Sequence, residues 1–328
     1  MPVITPDYVP PRWAPDAHTQ TVIPAKLSRK PRVAYRRELI DMPDGDFMTF
    51  DWATPEPADS AAPTIVHFHG LEGSSDSHYA LALMDACAKR GWRGVVAHFR
   101  GCGGLPNRLP RAYFAGDSAD CEWAIQTVQK RFPAAPLFAV GVSLGGNQVA
   151  KFLGDRGEGA RYLTGAVSVG APVDLVAGSV GMTSGIYLMY TKMFLSTLLE
   201  KVKEKARQFP DVVSTKNLPN CRTLNDFDDM YTAPIHGFKD SIDYWTQCSA
   251  KRVLKNVRVP LLLLNSRNDP FLPAEALPTE GEVSEYVYLE QPDEGGHIGY
   301  PEGAFPGDLD YLPRKILGFF DGLLAAGG

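Results

Sequence analysis

Six short apolar segments, separated by stretches with helical periodicity, constrain the fold of this chain more than any other feature of its sequence. The segments are almost continuously hydrophobic, which is typical of strands covered by helices on both faces. The predicted strands are residues 64–68, 94–99, 137–142, 165–169, 260–265 and 285–289. The predicted helices are residues 79–90, 118–131, 147–155, 241–249 and 312–324. Because parallel strands need crossover connections, this alternation predicts an α/β fold with a doubly wound, mostly parallel sheet.

Three further parts of the chain lie outside this alternation. Residues 1–30 are proline-rich and are predicted to form an irregular arm, and an Asp-Gly turn predicts a hairpin over 34–52. No strand is predicted between 171 and 249, where a long helix over 185–208 has an apolar first half and a charged second half. This helix is too charged to cross a bilayer. We therefore expect a core of residues 1–170 and 250–328, with an inserted helical cap at 171–249.

Ser143 is the predicted nucleophile. It lies in the sequence Gly141-Val142-Ser143-Leu144-Gly145, after a predicted strand and before a predicted helix. A strand that packs tightly on the following helix forces the turn residue into a strained conformation, and the flanking glycines leave room for that turn. The serine hydroxyl then projects from the carboxyl edge of the sheet, where ligands bind. This context favours a nucleophile over an ordinary glycine-rich turn.

A serine hydroxyl needs a base within hydrogen-bonding distance and a third group that orients the base. His297 lies on a glycine-rich loop after the last predicted strand, and Asp269 follows the strand before it. The chain order Ser143, Asp269, His297 differs from the orders in chymotrypsin-like and subtilisin-like proteases. Asp240 remains a second candidate for the orienting carboxylate. A base of this kind must be neutral, so activity is expected to fall in acid.

Two backbone amides are predicted to stabilise the oxyanion that forms when the serine attacks its substrate. One is the N–H of Leu144, at the start of the helix after the nucleophile, and the other is the N–H of Leu71, in the loop after the first predicted parallel strand. We expect further residues near the strand ends and on the cap to contact the substrate, with an apolar acyl chain against the cap. These are His69, Gly70, Met189, Met193 and Phe271.

The composition limits which binding partners and which cellular compartment are expected for this protein. The net charge is −5, and no Lys/Arg-rich patch is interleaved with aromatic residues, so nucleic acid is not an expected partner. The five cysteines form no C-x-x-C pair, which predicts reduced thiols in a reducing compartment. The N-terminus has neither the basic nor the apolar region of a signal peptide, and no transmembrane segment is predicted, so we expect a cytoplasmic protein. No metal or cofactor is expected.

Several spaced motifs together resemble those of a known family. They are His18-Thr19-Gln20-Thr21, His69-Gly70-Leu71-Glu72-Gly73-Ser74, Arg100-Gly101-Cys102-Gly103-Gly104, Gly141-Val142-Ser143-Leu144-Gly145-Gly146-Asn147, Asn268-Asp269-Pro270-Phe271 and Gly295-Gly296-His297-Ile298-Gly299-Tyr300. In this order they resemble the α/β-hydrolase superfamily, and more closely its YheT-like branch. The resemblance implies an α/β-hydrolase fold and hydrolysis of carboxylic esters with short or medium acyl chains. It also implies a triad of Ser143, Asp269 and His297.

Two other functions remain open at this stage. An acyltransferase would use the same acyl-enzyme with an alcohol in place of water, and some relatives are credited with such activity through an H-x-x-x-x-D pattern. His236 and Asp240 are one residue too close for that pattern. A binding protein could keep the pocket without catalysis, although binding alone does not require all three triad residues. The sequence predicts neither the physiological substrate nor the oligomeric state.

Overall fold

The computed structural model describes residues 3–181 and 187–327. In this part of the chain, one sheet of eight strands has the order β1-β2-β4-β3-β5-β6-β7-β8. The strands are β1 Ala34–Asp41, β2 Phe47–Thr54, β3 Thr64–Phe68, β4 Arg93–His98, β5 Leu137–Val142, β6 Gly165–Val169, β7 Leu261–Leu264 and β8 Val287–Glu290. Strand β2 is antiparallel to both of its neighbours, and the pairs from β4 to β8 are parallel. The predicted doubly wound, mostly parallel sheet is confirmed.

Helices flank the sheet and continue through the segment between β6 and β7. They are α1 Ala17–Lys26, α2 His78–Lys89, α3 Ser118–Arg131, α4 Leu144–Arg156, α5 Leu175–Gly181, α6 Tyr187–Gln208, α7 Leu224–Phe227, α8 Ala233–His236, α9 Ser241–Cys248 and α10 Tyr311–Gly327. The predicted strands and helices of the alternation all occur, with bounds that differ by at most three residues. Hydrophobic periodicity located these elements because each one buries a continuous apolar face.

The sheet is covered on both faces, as its continuously apolar strands require. In β7, Leu261 and Leu263 belong to one apolar cluster, and Leu262 and Leu264 belong to the other. Helices α3 and α4 pack on the first cluster, whereas α2 and α10 pack on the second. This two-sided core holds the carboxyl ends of the parallel strands in fixed positions relative to one another.

The expectation of an irregular arm over residues 1–30 is wrong in part, because the arm contains α1. The Asp16 side chain accepts hydrogen bonds from the main-chain N–H groups of His18 and Thr19, which caps the helix. Its buried residues are Gln20, Thr21 and Pro24, so α1 turns a polar face towards the protein. Apolar periodicity gives no signal for such a helix, and an internal proline argues against one.

The segment expected to form the cap contains helices α5 to α9, and no strand occurs in its described residues. The first two residues of the predicted helix 185–208, together with 182–184, lie outside the described residues. An apolar cluster joins α6 to the chain that follows it; its buried members are Leu195, Leu198, Val202, Val213, Leu218, Cys221, Phe227 and Tyr231. The segment therefore has a small apolar core of its own, beside the carboxyl edge of the sheet.

Candidate active site

Four loops meet at the carboxyl edge of the sheet. Strand β3 lies between β4 and β5, so the chain reverses its direction of travel across the sheet at this strand. Ligands bind to open α/β sheets at such a switch point. The loop that begins at His69 follows β3, and Ser143 follows β5. The loops after β7 and β8 carry Asp269 and His297.

Ser143 occupies a sharp turn between β5 and α4. Its φ is 55° and its ψ is −122°, a conformation that costs about 1–3 kcal/mol for a residue other than glycine. The flanking glycines make the turn possible: a Cβ on Gly141 would lie 2.2 Å from the carbonyl oxygen of Gly145. A Cβ on Gly145 would lie 2.5 Å from the carbonyl oxygens of Phe68 and His69. Only glycine allows α4 to begin this close to β3.

The structure brings Ser143, His297 and Asp269 into one hydrogen-bonded chain. His297 Nε2 lies 2.9 Å from Ser143 Oγ, and His297 Nδ1 lies 2.8 Å from Asp269 Oδ2. The second carboxylate oxygen, Asp269 Oδ1, accepts the main-chain N–H of Phe271 at 2.7 Å. The Phe271 ring packs edge-on against the imidazole, with centroids 4.4 Å apart. Asp240, the second candidate carboxylate, instead caps α9 by accepting the N–H of Asp243.

The two amides predicted to bind an oxyanion both border this chain. Leu144 is the first residue of α4, so its N–H points out of the helix N-terminus without a helical acceptor. Tyrosine hydroxyls accept the N–H groups on either side of Leu71: Tyr79 accepts that of Gly70, and Tyr113 accepts that of Glu72. Within residues 3–181 and 187–327, neither leucine N–H has a protein acceptor. Both are therefore available to a ligand oxygen.

A cap residue reaches the loop that holds Leu71. Lys201 Nζ on α6 lies 2.7 Å from Glu72 Oε1, and the hydroxyl of Tyr113 donates to the same oxygen at 2.7 Å. Glu72 itself has a φ of 55°. Burial lowers the pKa of Lys201, but the neighbouring Cys102 and Glu72 outweigh burial and raise it overall. The ammonium is therefore charged at neutral pH and fixes a strained residue next to Leu71.

A cavity of about 740 Å³ opens onto the Ser143 hydroxyl and extends beneath α6. Its walls are mostly apolar. They include Leu71, Leu144, Pro172, Leu175, Phe194, Leu198 and Phe271. The walls also carry charged side chains, among them Glu72, Lys201 and Asp228. Burial raises the pKa of Asp228 to about 7, while the indole N–H of Trp245 donates to its carboxylate at 2.8 Å. The cavity can accept a ligand with apolar and polar parts.

Four of the five residues predicted to contact substrate do not line this cavity; only Phe271 does. Met189 and Met193 are 58% and 47% exposed on α6 and do not line the cavity, so their contact with a substrate stays a prediction. The inner face carries Phe194, Thr197, Leu198, Lys201, Val202 and Lys205. This spacing of three and four residues is that of one helix face. Hydrophobicity alone favours the methionines, whereas the angular position on the helix decides which side chains line the cavity.

His69 and Gly70 support the site from behind. His69 is fully buried, and its ring nitrogens contact the carbonyl oxygen of Gly70 and the N–H of Phe99. Burial lowers the pKa of His69 well below its usual range, so its ring is neutral. A Cβ on Gly70 would lie 3.1 Å from the Cβ of Ser143, so this glycine allows the loop after β3 to approach the nucleophile. Neither residue is placed to touch a substrate.

Other residues that shape the site have weaker sequence signals. Asn147, within the quoted glycine-serine motif, is fully buried and donates to the carbonyls of Ala115 and Cys248. It thereby ties α4 to the end of the cap segment. Lys201 has no local sequence pattern, because its partner Glu72 is 129 positions away. Among the described residues, no group of three or more His, Cys, Asp or Glu side chains could hold a metal ion.

Comparisons with known proteins identify the family and the fold. A model of the α/β-hydrolase fold matches residues 63–304. YheT of Escherichia coli (strain K12) is 36% identical over 312 residues, which are 94% of this chain and 92% of that protein. Phospholipase ABHD3 of Mus musculus is 31% identical over 334 residues, 99% of this chain and 81% of that protein. The esterase Pf2001 of Pyrococcus furiosus superposes with a TM-score of 0.57 at 13% identity, covering 99% and 97% of the two chains. The chain therefore belongs to the α/β-hydrolase fold family, in its YheT-like branch.

Proposed function

We propose that this protein is a serine carboxylesterase that hydrolyses acyl esters through an acyl-enzyme. The observation that carries the proposal is the chain of two short contacts from Ser143 Oγ through His297 to Asp269, at the mouth of a largely apolar cavity. A nucleophile, a base and an orienting carboxylate in hydrogen-bonding distance are what acyl transfer to a serine requires.

In the proposed first step, Ser143 Oγ attacks the ester carbonyl carbon while His297 Nε2 takes its proton. The carbonyl oxygen becomes an oxyanion between the N–H groups of Leu71 and Leu144. Asp269 accepts a hydrogen bond from His297 Nδ1–H and stays ionised, which fixes the tautomer and stabilises the imidazolium. His297 then protonates the departing alkoxide, the alcohol leaves, and the acyl group remains on Ser143.

In the second step, a water molecule attacks the acyl-enzyme while His297 Nε2 takes its proton. Collapse of the second tetrahedral intermediate releases the carboxylic acid and returns the proton to Ser143. The same two amides bind the oxyanion in both steps, because the carbonyl oxygen does not change position. The residues named supply every proton transfer in this reaction.

The cavity supports an ester with an apolar acyl chain. Phe194 and Leu198 line the cavity from the inner face of α6. We propose that residues 171–249 act as a cap over the acyl chain, and that chains of short or medium length fit best. The relative from Mus musculus is named a phospholipase, which supports an ester substrate. The cytoplasmic location remains a proposal, supported by five free and buried cysteines.

The proposal is tested by turnover of p-nitrophenyl esters from acetate to palmitate by the wild type and Ser143→Ala. We expect hydrolysis in the wild type, strongest for short or medium acyl chains, and loss of at least about a thousandfold in kcat for the variant. Ser196→Ala is a matched control, because this serine is exposed on α6 and does not line the cavity. Turnover that survives in Ser143→Ala would refute the serine mechanism.

No observation favours acyl transfer to an alcohol over hydrolysis. His236 and Asp240, the residues nearest to the acyltransferase pattern, have structural contacts. The ring nitrogens of His236 contact the carbonyl oxygens of Thr232 and Ala112, and Asp240 caps α9. Product analysis with added ethanol or glycerol separates the two reactions, and we expect free acid to dominate at low alcohol concentration.

A further inference from the structure

Helix α1 packs against the loop that carries His297, although the proposed mechanism assigns no task to that helix. Gln20 is fully buried and Thr21 is 8% exposed. Thr21 Oγ1 accepts the main-chain N–H of His297 at 2.8 Å and donates to the carbonyl of Ala17 at 2.6 Å. The hydroxyl therefore joins the helix main chain directly to the main chain of His297.

Gln20 joins the same helix to both loops of the proposed triad. Its Oε1 accepts the main-chain N–H of Gly295 at 2.7 Å and a side-chain N–H of Asn268 at 2.9 Å. Asn268 Oδ1 in turn accepts the N–H of Gly296 at 3.0 Å. Asn268 precedes Asp269, and Gly296 precedes His297. One buried glutamine thus fixes the loop of the carboxylate relative to the loop of the imidazole.

The approach of α1 to this loop is close enough to require glycine on the other side. A Cβ on Gly299 would lie 1.7 Å from the carbonyl oxygen of Gln20, and one on Gly296 would lie 2.7 Å from Thr21 Oγ1. Pro24 has no N–H, so the Gln20 carbonyl lacks its usual helical donor and can lie against Gly299. The glycine pattern around His297 and the polar face of α1 therefore fit each other.

The loop is also strained, which makes its supports important. Ile298 has a φ of 54° and Tyr300 a φ of 40°. A β-branched residue in this region is a rare conformation. Each such residue costs about 1–3 kcal/mol and persists only when its surroundings over-determine the backbone. The bonds from Gln20 and Thr21 to Gly295 and His297 restrain the main chain immediately before the strained residues.

We propose that Gln20 and Thr21 are positioning residues of the active site, which hold the main chain around His297 so that its imidazole stays between Ser143 and Asp269. Neither side chain is placed to touch a substrate, so both act through the histidine loop. The kinetic part of this inference rests on the proposed function. Its structural part concerns the His297–Asp269 contact and does not depend on any activity.

The test compares Thr21→Val with Thr21→Ser and with Thr19→Val. Thr21→Val keeps the shape of the side chain and removes the hydroxyl that binds the N–H of His297. Thr21→Ser keeps that hydroxyl. Thr19→Val is the matched control on the same helix, because the Thr19 hydroxyl donates to Asp16 at the helix cap. Two quantities are measured: kcat and KM for a p-nitrophenyl ester, and the downfield proton resonance of His297 Nδ1–H bonded to Asp269.

For Thr21→Val we expect a kcat about 10- to 100-fold lower, a KM within about twofold, and a weakened or lost Nδ1–H resonance, because small displacements of reacting groups have effects of this size. Thr21→Ser and Thr19→Val should keep the resonance and a kcat within about threefold of the wild type. Gln20→Met, which removes Oε1, should show the same changes in kcat, KM and the resonance as Thr21→Val. It replaces Thr21→Val in the test if that variant does not fold.

The inference is overturned if folded Thr21→Val or Gln20→Met keeps the kcat and the resonance of Thr19→Val, even with a lower Tm. Such a result would make α1 a purely stabilising element. If the wild type does not hydrolyse any ester, the proposed function fails, but the resonance still decides whether Thr21 positions His297. The two failures are therefore distinguishable.

Discussion

Replacing Asp269 with asparagine should stop catalysis while leaving the fold intact, because the surroundings of this carboxylate dictate how the amide must orient. Oδ1 accepts the N–H of Phe271 at 2.7 Å, and Oδ2 lies 2.8 Å from His297 Nδ1. Asparagine has one oxygen and one NH₂ group for these two positions. If its NH₂ faced Phe271, two donors would meet, at a cost of about 1–3 kcal/mol for the unsatisfied buried groups. The amide oxygen should therefore stay at Phe271.

The NH₂ group then faces His297 Nδ1, which must act as an acceptor, so the imidazole proton moves to Nε2. In this tautomer Nε2 cannot take the Ser143 proton. The variant also loses the negative charge beside the imidazolium, worth about 4 kcal/mol for charges 4 Å apart at an effective dielectric constant of 20. The cost of the unfavourable imidazole tautomer adds about 2 kcal/mol. The activation barrier therefore rises by about 6 kcal/mol in all, which corresponds to a kcat roughly 10⁴-fold lower.

The assay is steady-state turnover of a p-nitrophenyl ester, with circular dichroism and thermal unfolding to establish that the variant is folded. Asp293→Asn is the matched control, because its carboxylate is 92% exposed and lies in the loop before His297. We expect the control to keep a kcat within about twofold of the wild type, as a solvated surface carboxylate contributes little. A loss of less than about tenfold in folded Asp269→Asn would refute the reasoning about the tautomer.

Three further predictions address the turn, the cap and the buried histidines. Gly145→Ala should prevent stable folding, because its Cβ would lie 2.5 Å from the carbonyl oxygens of Phe68 and His69. Gly318→Ala in α10 meets open space and should raise the stability by about 0.5–1 kcal/mol. Thermal unfolding compares the two variants. Lys201→Met should lower kcat about fivefold or more, because it releases Glu72 beside Leu71. Lys203→Met is the control, because this lysine pairs with Glu200 on the surface, and its kcat should stay unchanged. Equal kcat values in the two variants would contradict the role of Lys201. Burial lowers the pKa of His67 to about 3, so below pH 6.5 the unfolded chain binds a proton that the folded chain excludes, and stability should fall as the pH drops from 6.5 towards 3. The free energy of unfolding, measured with urea at pH 7, 6 and 5, should change less steeply with pH in His67→Leu than in the wild type, by up to about 1.4 kcal/mol per pH unit. An equal pH dependence in the two proteins would contradict burial of a neutral ring.

Apolar periodicity predicted the sheet and its flanking helices because these elements bury continuous hydrophobic faces. The strand bounds of β5 and β6 are those expected, and Ser143 follows β5 as the glycine pattern predicts. The three residues chosen as nucleophile, base and carboxylate lie in the loops expected of them and within hydrogen-bonding distance. The sequence was sufficient for this prediction because the carboxyl ends of parallel strands lie at the same edge of the sheet, whatever the details of core packing.

The sequence alone does not predict the features of the structure that depend on tertiary contacts. Helix α1 buries Gln20 and Thr21, so it has no apolar stripe by which it could be found. The apolar side chains of Met189 and Met193 suit an acyl pocket by their chemistry, but both are largely exposed to solvent on α6. Pairs such as Lys201 and Glu72 are separated by 129 positions, and no local pattern links them.

The most direct test of the account is mass spectrometry of the wild type and Ser143→Ala after reaction with a fluorophosphonate probe. This probe modifies serines that an adjacent base has activated, so it reports the assembled triad without any assumption about the substrate. We predict a single adduct, on Ser143, and none on folded Ser143→Ala. An unlabelled Ser143 in folded wild type, or an adduct that persists in the variant, would contradict the claim that Ser143, His297 and Asp269 form a working nucleophile.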